Sequence, residues 1–406
     1  MRVLFTVSAW PGHYYPLVPL GWGLQAAGHE VRFACAPSQR DTLSGAGLTP
    51  APVLAEIDMA FLARLQNVRK AAEGDWPYPG PPPHPVTGQP LTDPADFSFE
   101  REIVPRYVKP LKQSYAAAVE LAEEWRPQLV VHEPLSMEGL LAARVTGVPS
   151  ALHLWGPVGT VEDPGLGLVP QDFTGSFREY GVGELGPDLI DRAVDPCPAP
   201  LRGLLPDSTE RLPMRYVPYN GPGAVPDWLL DAPDRPRVCV VWGNSPRRMV
   251  GADAFALPRI VRALDGLGVE VVLAAGRDDL AQLGEVPSYV RVLENFPLQQ
   301  LLPSCVAVVH HGGAGAVMTA VAHGVPQLVI PHAMDQFTNA DRVAASGAGL
   351  VVRGYEITED GVRDALARLF DEPSFIATAA ELQEQMSDLA SPLEMAGTLE
   401  ELAAAG

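Results

Sequence analysis

The stretch spanning residues 306–341 limits the possible folds more than any other part of the chain. Ala307-Val308-Val309 has the length and apolar content of a central strand. It leads straight into His310-His311-Gly312-Gly313-Ala314-Gly315, where glycine permits a tight strand-to-helix turn and close approach of a ligand to the backbone. Residues 316–323 then read as a helix whose first N–H groups have no internal partner and whose positive dipole end faces outward. That arrangement is an anion site, suited to a pyrophosphate. After Gly324-Val325-Pro326, residues 327–330 read as a second strand of the same sheet. Beyond Pro331 stand the acid–amide pair Asp335-Gln336 and Asn339, residue types that grip hydroxyls. A diphosphate cradle beside a polyol grip suits a sugar nucleotide. An ordinary βαβ unit would share the glycine turn, but it would have no reason to carry His311, Asp335, Gln336 and Asn339 as well.

At 406 residues the chain exceeds what one core usually serves, so two domains are expected. A strand at 2–7, a loop, a helix at 17–27 closed by Gly28, and a strand at 30–35 predict a parallel, doubly wound sheet. Further strands are predicted at 128–132 and 150–154, helices at 98–125 (broken at Pro110) and 136–146, and a helix at 188–204 interrupted by Pro196 and Pro200. Residues 59–94, with Trp76-Pro77-Tyr78-Pro79-Gly80, are too long for an ordinary connection and read as a lid or binding loop. Residues 217–236 are dense in Pro and Gly and read as a linker. A second βα series follows, with strands at 237–241, 270–274, 290–293, 307–309, 327–330 and 349–352, then a last helix at 375–405. The fold class is therefore α/β, two Rossmann-like domains facing across a cleft: 1–216, a linker at 217–236, 237–374, and a C-terminal helix at 375–406. No GxGxxG opens either half, which argues against a nicotinamide dehydrogenase.

The order and spacing of the glycine turn, His311, Asp335, Gln336 and Asn339 resemble the C-terminal signature of the inverting two-domain (GT-B) glycosyltransferases. More closely, they resemble the actinobacterial enzymes that attach sugars to antibiotic aglycones. The resemblance is strongest over residues 295–349. It implies that the last helix crosses back onto the N-terminal domain. It also implies that His13, in Gly12-His13 followed by Pro16 after the first strand, is the general base. Histidine suits that role because it changes charge near neutral pH. The family's partner for this histidine is usually an Asp at the end of a central strand. Here that position holds Glu133, whose longer side chain must sit further back or bend. By the same resemblance His311 bonds the pyrophosphate, and Gly313, Ala314 and Gly315 give it backbone N–H groups. Gly243, Asn244 and Ser245 form a second phosphate-side loop, the backbone groups of Phe296 read the base edge, and Asp335 and Gln336 hold sugar hydroxyls. Plant-type members carry a Glu that grips both ribose hydroxyls where Thr319 stands, so a dTDP-sugar is expected as donor over a UDP-sugar. Trp76 and Tyr78 are expected to cover an apolar acceptor.

The expected reaction is transfer of a deoxysugar from dTDP to a hydroxyl of a natural-product aglycone, with attack from aromatic carbon left open. The rivals are a sugar-nucleotide epimerase on the same architecture and a catalytically silent nucleotide-sugar-binding helper. No cofactor or metal is expected: His310 and His311, being adjacent, diverge, and no further ligands are spaced nearby. A net charge of −20 argues against nucleic acid or an anionic membrane as partner. Phosphate binding must then come from local amides. Cys35, Cys197, Cys239 and Cys305 show neither disulfide nor zinc spacing. The broken apolar N-terminus is neither signal nor anchor, so a cytoplasmic protein is expected, with a homodimer left open.

Overall fold

Two parallel sheets are built from the apolar runs, each buried on both faces as parallel sheets require. The structure, a computed structural model, describes residues 1–93, 96–162, 166, 168–243 and 245–405. The first sheet holds β1 (Arg2–Thr6), β2 (Glu30–Ala34), β3 (Pro50–Ala51), β4 (Leu129–His132), β5 (Ser150–His153), β6 (Arg192–Asp195) and β7 (Glu210–Pro213), in the order β3-β2-β1-β4-β5-β6-β7. The second holds β8 (Arg237–Trp242), β9 (Glu270–Ala275), β10 (Val290–Glu294), β11 (Cys305–His310), β12 (Gln327–Val329) and β13 (Gly349–Val351), in the order β10-β9-β8-β11-β12-β13. This is the two-sheet α/β architecture that the sequence predicts.

Alternation along each strand divides the cores. Val3 and Phe5 of β1 point to one face, where Phe5 stacks on Phe33 at 4.3 Å and the helix Val18–Ala26 covers them. Leu4 points to the other, under the helices Lys109–Trp125 and Glu138–Thr146. In the second sheet Val238, Val240 and Trp242 share one core while Cys239 joins another with Val272.

In each sheet the strand order reverses once, between β1 and β4 and between β8 and β11. Open α/β sheets bind ligands in the crevice beyond the carboxyl ends of the strands at such a point. The loops after β1 and β4 carry His13 and Glu133, and those after β8 and β11 carry Gly243 and the glycine turn. The topology therefore fixes which four loops can build a site.

Several segments depart from expectation. Residues 59–94 are not one loop: Ala60–Glu73 is a helix closed by Gly74 in the left-handed region. Its buried Ala60, Ala63, Arg64 and Asn67 recur at helical spacing, which the proline-rich sequence downstream obscured. Residues 188–204 contain a strand, β6, in place of the expected helix; four residues suffice to pair β5 with β7. Pro110 does not break a helix. It stands in the first turn of Lys109–Trp125, where its missing N–H is no loss, and Phe99–Val108 before it is wound in π-helical turns. The last segment is two helices, Pro373–Ser387 and Pro392–Ala405. The second lies on the helix Val18–Ala26 so closely that a Cβ on Gly23 would sit 2.5 Å from the Pro392 carbonyl oxygen. Met395, Ala396 and Leu399 complete the first-half core. No helix among the described residues is long and apolar enough to cross a membrane.

Candidate functional site

On the first-half side of the cleft the groups are titratable, Glu133 buried and His13 half-buried. His13 lies in the short helix Pro11–Tyr14 that follows β1. Its Nδ1 is 3.0 Å from the Ser8 hydroxyl, and its ring stacks on Trp155 at 4.1 Å and 12°. Burial pushes the imidazole down to about 3. Glu133 is fully buried: one carboxyl oxygen accepts the Ser8 N–H at 2.8 Å, the other the Leu135 N–H at 2.8 Å. Desolvation pushes this acid up to about 7, against the pull of its hydrogen bonds to Ser8 and Leu135. Glu133 makes no direct contact with His13. Ser8 stands between them, bonded to both, so the extra length of Glu is taken up by a hydroxyl relay. With a carboxylate at one end, the donors run from Nδ1–H to Ser8 Oγ and from the Ser8 O–H to Glu133. His13 Nε2 is left with its lone pair.

On the second-half side the groups are mostly backbone. β11 ends in His310, whose Nδ1 accepts the Gly312 N–H at 3.0 Å and whose Nε2 meets Gln327 Oε1 at 2.9 Å. His310 is therefore a turn-building histidine. Gly312 has φ +89°, and a Cβ there would meet the Gln336 carbonyl oxygen at 2.9 Å, so only glycine fits. Asn339 locks the turn from the far side, donating to the Gly312 carbonyl at 2.9 Å. The helix Ala314–Ala322 starts at Gly313 with no side-chain cap and no acid in its first turn. The amides of Ala316 and Val317 return to the Gly313 carbonyl. Those of Ala314 and Gly315 have no acceptor among the described residues, and both residues line the cleft. His311, pushed down to about 3 by burial and by His310 and His332, sits edge-on to Trp242 and 3.5 Å from the Ser245 hydroxyl.

A cavity of about 380 Å³ joins the two sides. Its lining brings together the predicted residues His13, Gly243, Ser245, His311, Gly313, Ala314, Gly315, Asp335 and Gln336. Asp335 opens the helix Asp335–Ser346 behind Met334, a non-glycine residue held at φ +53°, a strain typical of ligand clamps. Burial pushes Asp335 up to about 6. The Gln336 carbonyl group of the side chain is already occupied, accepting the N–H groups of His332 at 3.0 Å and Ala333 at 3.2 Å. Its amide NH₂ is what remains for a ligand.

Other predicted residues lie elsewhere. Thr319 is fully buried, its short side chain folded back to donate to the Gly315 carbonyl at 2.6 Å. Asn220 of the linker stands beside it at 3.3 Å, and Asn220, not Thr319, lines the cavity. Phe296 is half-buried against the core cluster that holds Leu298, and Leu298, not Phe296, lines the cavity. Asn244 lies outside the described residues. Trp76 and Tyr78 do not face His13. Tyr78 is clamped on the second half, its hydroxyl donating to the His332 carbonyl at 3.1 Å, and Trp76 bonds the Gly80 carbonyl at 2.7 Å. Proline fixes that stretch as a strap between the halves, tied by the Gly80 N–H to Asp253 at 3.0 Å.

The apolar space beside His13 is instead a second cavity of about 590 Å³, lined chiefly by the helix Ala60–Glu73 and by Phe97, Leu166, Leu168 and Phe173. It shares Trp10, His13, Trp155, Met249 and Asp335 with the first. The sequence reading missed Ser8, Trp155, Asn220 and Arg248, whose guanidinium stacks over Trp10 at 4.9 Å in the cleft wall. Of these only Ser8, two residues beyond β1, carried a positional signal. Among the described residues no cluster of three or more His, Cys, Asp or Glu side chains could hold a metal ion.

Comparison with known proteins agrees along the whole chain. The family models for the N-terminal and C-terminal domains of erythromycin biosynthesis protein CIII-like proteins match residues 101–243 and 258–402. The chain is 36% identical to 10-deoxymethynolide desosaminyltransferase of Streptomyces venezuelae, over 100% of this chain and 97% of that protein. Among solved structures, spinosyn forosaminyltransferase SpnP superposes with TM-score 0.76 at 32% identity, covering 100% of this chain and 99% of that one. The glycosyltransferase VinC, solved in complex with dTDP, gives TM-score 0.76 at 31% identity with 100% of both chains covered.

Proposed function

The chain belongs to the erythromycin biosynthesis protein CIII-like family of natural-product glycosyltransferases, and from that premise we propose that it is an inverting enzyme that moves a deoxysugar from dTDP to an aglycone hydroxyl, with His13 as general base. One observation carries the reading: a single cavity is walled by an imidazole with a free nitrogen and by two unpartnered amides at a helix N-terminus, and it opens into a large apolar chamber. In the step proposed, the acceptor oxygen attacks the anomeric carbon as its proton passes to His13 Nε2. The bond from that carbon to the diphosphate oxygen breaks, and the electron pair leaves with dTDP. The amides of Ala314 and Gly315, with Arg248 nearby, answer the charge that builds on the leaving group. The imidazolium formed is steadied by Glu133 through Ser8, as a triad acid steadies its histidine. No step is routed through a metal.

Asp335 is the only acid among the described lining residues of the donor cavity, and it supports a grip on sugar hydroxyls. The Thr319 hydroxyl is committed to Gly315 and no carboxylate replaces it at the ribose end, which supports dTDP over UDP. The apolar chamber supports transfer over donor-only isomerisation, which has no use for such a space. The direct test is titration with dTDP, UDP and GDP, followed by incubation of the best donor class with apolar polyketide-like acceptors. Tighter binding of dTDP and an inverted glycoside are expected. Equal binding of all three would end the donor assignment, and sugar-nucleotide isomerisation without acceptor would end the transfer assignment.

A further inference from the structure

Just after β5 one short segment of the first half touches the donor side at successive residues. The Trp155 ring lies flat on His13 at 4.1 Å, and its buried indole N–H lies beside the Asp335 carboxyl. Gly156 lies against the glycine turn of the other half: a Cβ on Gly156 would sit 2.7 Å from the Ala314 Cβ and 3.5 Å from Met318 Cγ. The Pro157 carbonyl accepts a hydrogen bond from Arg342, on the same helix that Asp335 opens. Arg342 also pairs with the buried Glu162 at 2.8 Å, whose other oxygen accepts the N–H groups of Gly159 at 2.6 Å and Leu204 at 3.0 Å. Gly156 is not required by its own backbone, since it is not among the positive-φ glycines. What demands glycine here is distance: any side chain would push the two halves apart at the point where base and phosphate turn face each other.

We propose that Trp155 and Gly156 are positioning residues that set the register of His13 against the diphosphate turn, with the Arg342–Glu162 pair as the clamp that holds them there. The inference rests on the reading of His13 as base. Displacement of about 1 Å between reacting groups costs on the order of 100-fold in rate. A methyl group inserted between Gly156 and Ala314 forces a shift of that order while leaving the free phosphate amides in place.

The test is a double-substitution cycle in the full-length protein. Gly156→Ala is expected to lower kcat by at least about tenfold with dTDP affinity within about twofold of the parent. Adding Ala314→Gly removes the facing methyl and is expected to restore most of the lost kcat relative to the Gly156→Ala single variant. An unchanged kcat in Gly156→Ala, or a double variant no better than that single one, overturns the proposal. If Gly156→Ala does not fold, Arg342→Gln takes its place: a kcat loss at unchanged dTDP affinity is expected, and no kcat loss overturns the clamp. Trp155→Phe, which keeps a ring on His13, should retain more kcat than Trp155→Leu; equal loss contradicts the stacking role. His13→Gln run alongside separates the two claims. Retained transfer there removes the base assignment, whereas abolished transfer with a flat cycle removes only the positioning one.

Discussion

The two halves share a topology and differ in what they place at its reversal point. The β1/β4 crevice is furnished with side chains from distant segments: Ser8, His13, Glu133 and Trp155. The β8/β11 crevice is furnished with backbone from one short run, 310–315, held by Asn339. In the proposed reaction the first site works by proton transfer. In that same proposal the second works by fixed dipoles that need no proton and cost no reorganisation. A parallel sheet thus supplies two kinds of surface from the same geometry, and on the proposed reading setting them face to face puts a base opposite a leaving-group cradle.

The sharpest way to break this contrast is to remove the side-chain chemistry alone. His13→Gln should lower kcat by about 10²–10⁴-fold while leaving dTDP binding intact, measured by product formation and by nucleotide titration. The reciprocal change attacks the backbone site. Gly312→Ala forces a non-glycine residue to φ +89° against the Gln336 carbonyl, so dTDP affinity should fall at least tenfold and the melting temperature should drop, reflecting about 1–3 kcal/mol of strain. If Gly312→Ala lowered kcat but spared nucleotide binding, the division between the halves would be wrong.

A finer test uses pH. Glu133, pushed up to about 7, is a carboxylate only above that pH, whereas His13, pushed down to about 3, is unprotonated throughout the working range. The relay therefore gains its charge as pH rises, and kcat/KM should climb through about pH 7 and level off above it. Glu133→Gln should flatten the climb and lower the plateau about tenfold or more. A climb that persisted in that variant would assign it to another group. The smallest effect expected is from chelation: EDTA should change kcat by less than about twofold, since in the proposed reaction the diphosphate charge is met by the amides of Ala314 and Gly315.

The same contrast explains what could be read in the chain. The glycine turn was legible because its parts are neighbours: a strand, a glycine turn and a helix start declare themselves within ten residues, and Asp335, Gln336 and Asn339 follow at fixed distance. His13 and Glu133 were legible only as loop positions. The Ser8 hydroxyl between them was not, because its role arises from three segments meeting across 125 residues of sequence. Trp155 and Asn220 were hidden for the same reason. Trp76 and Tyr78 misled because aromatic residues in a proline-rich stretch look like a lid. In the structure they clasp the second half, and the ordinary-looking helix Ala60–Glu73 lines the chamber.

The central claim is that a diphosphate held by the turn faces an imidazole from the other half. A crystal structure with dTDP tests it most directly. The account predicts diphosphate oxygens on the amides of Ala314 and Gly315, with His13 Nε2 directed into the space just beyond the terminal phosphate. A diphosphate bound away from that turn, or an imidazole whose free nitrogen points out of the cleft, would contradict it.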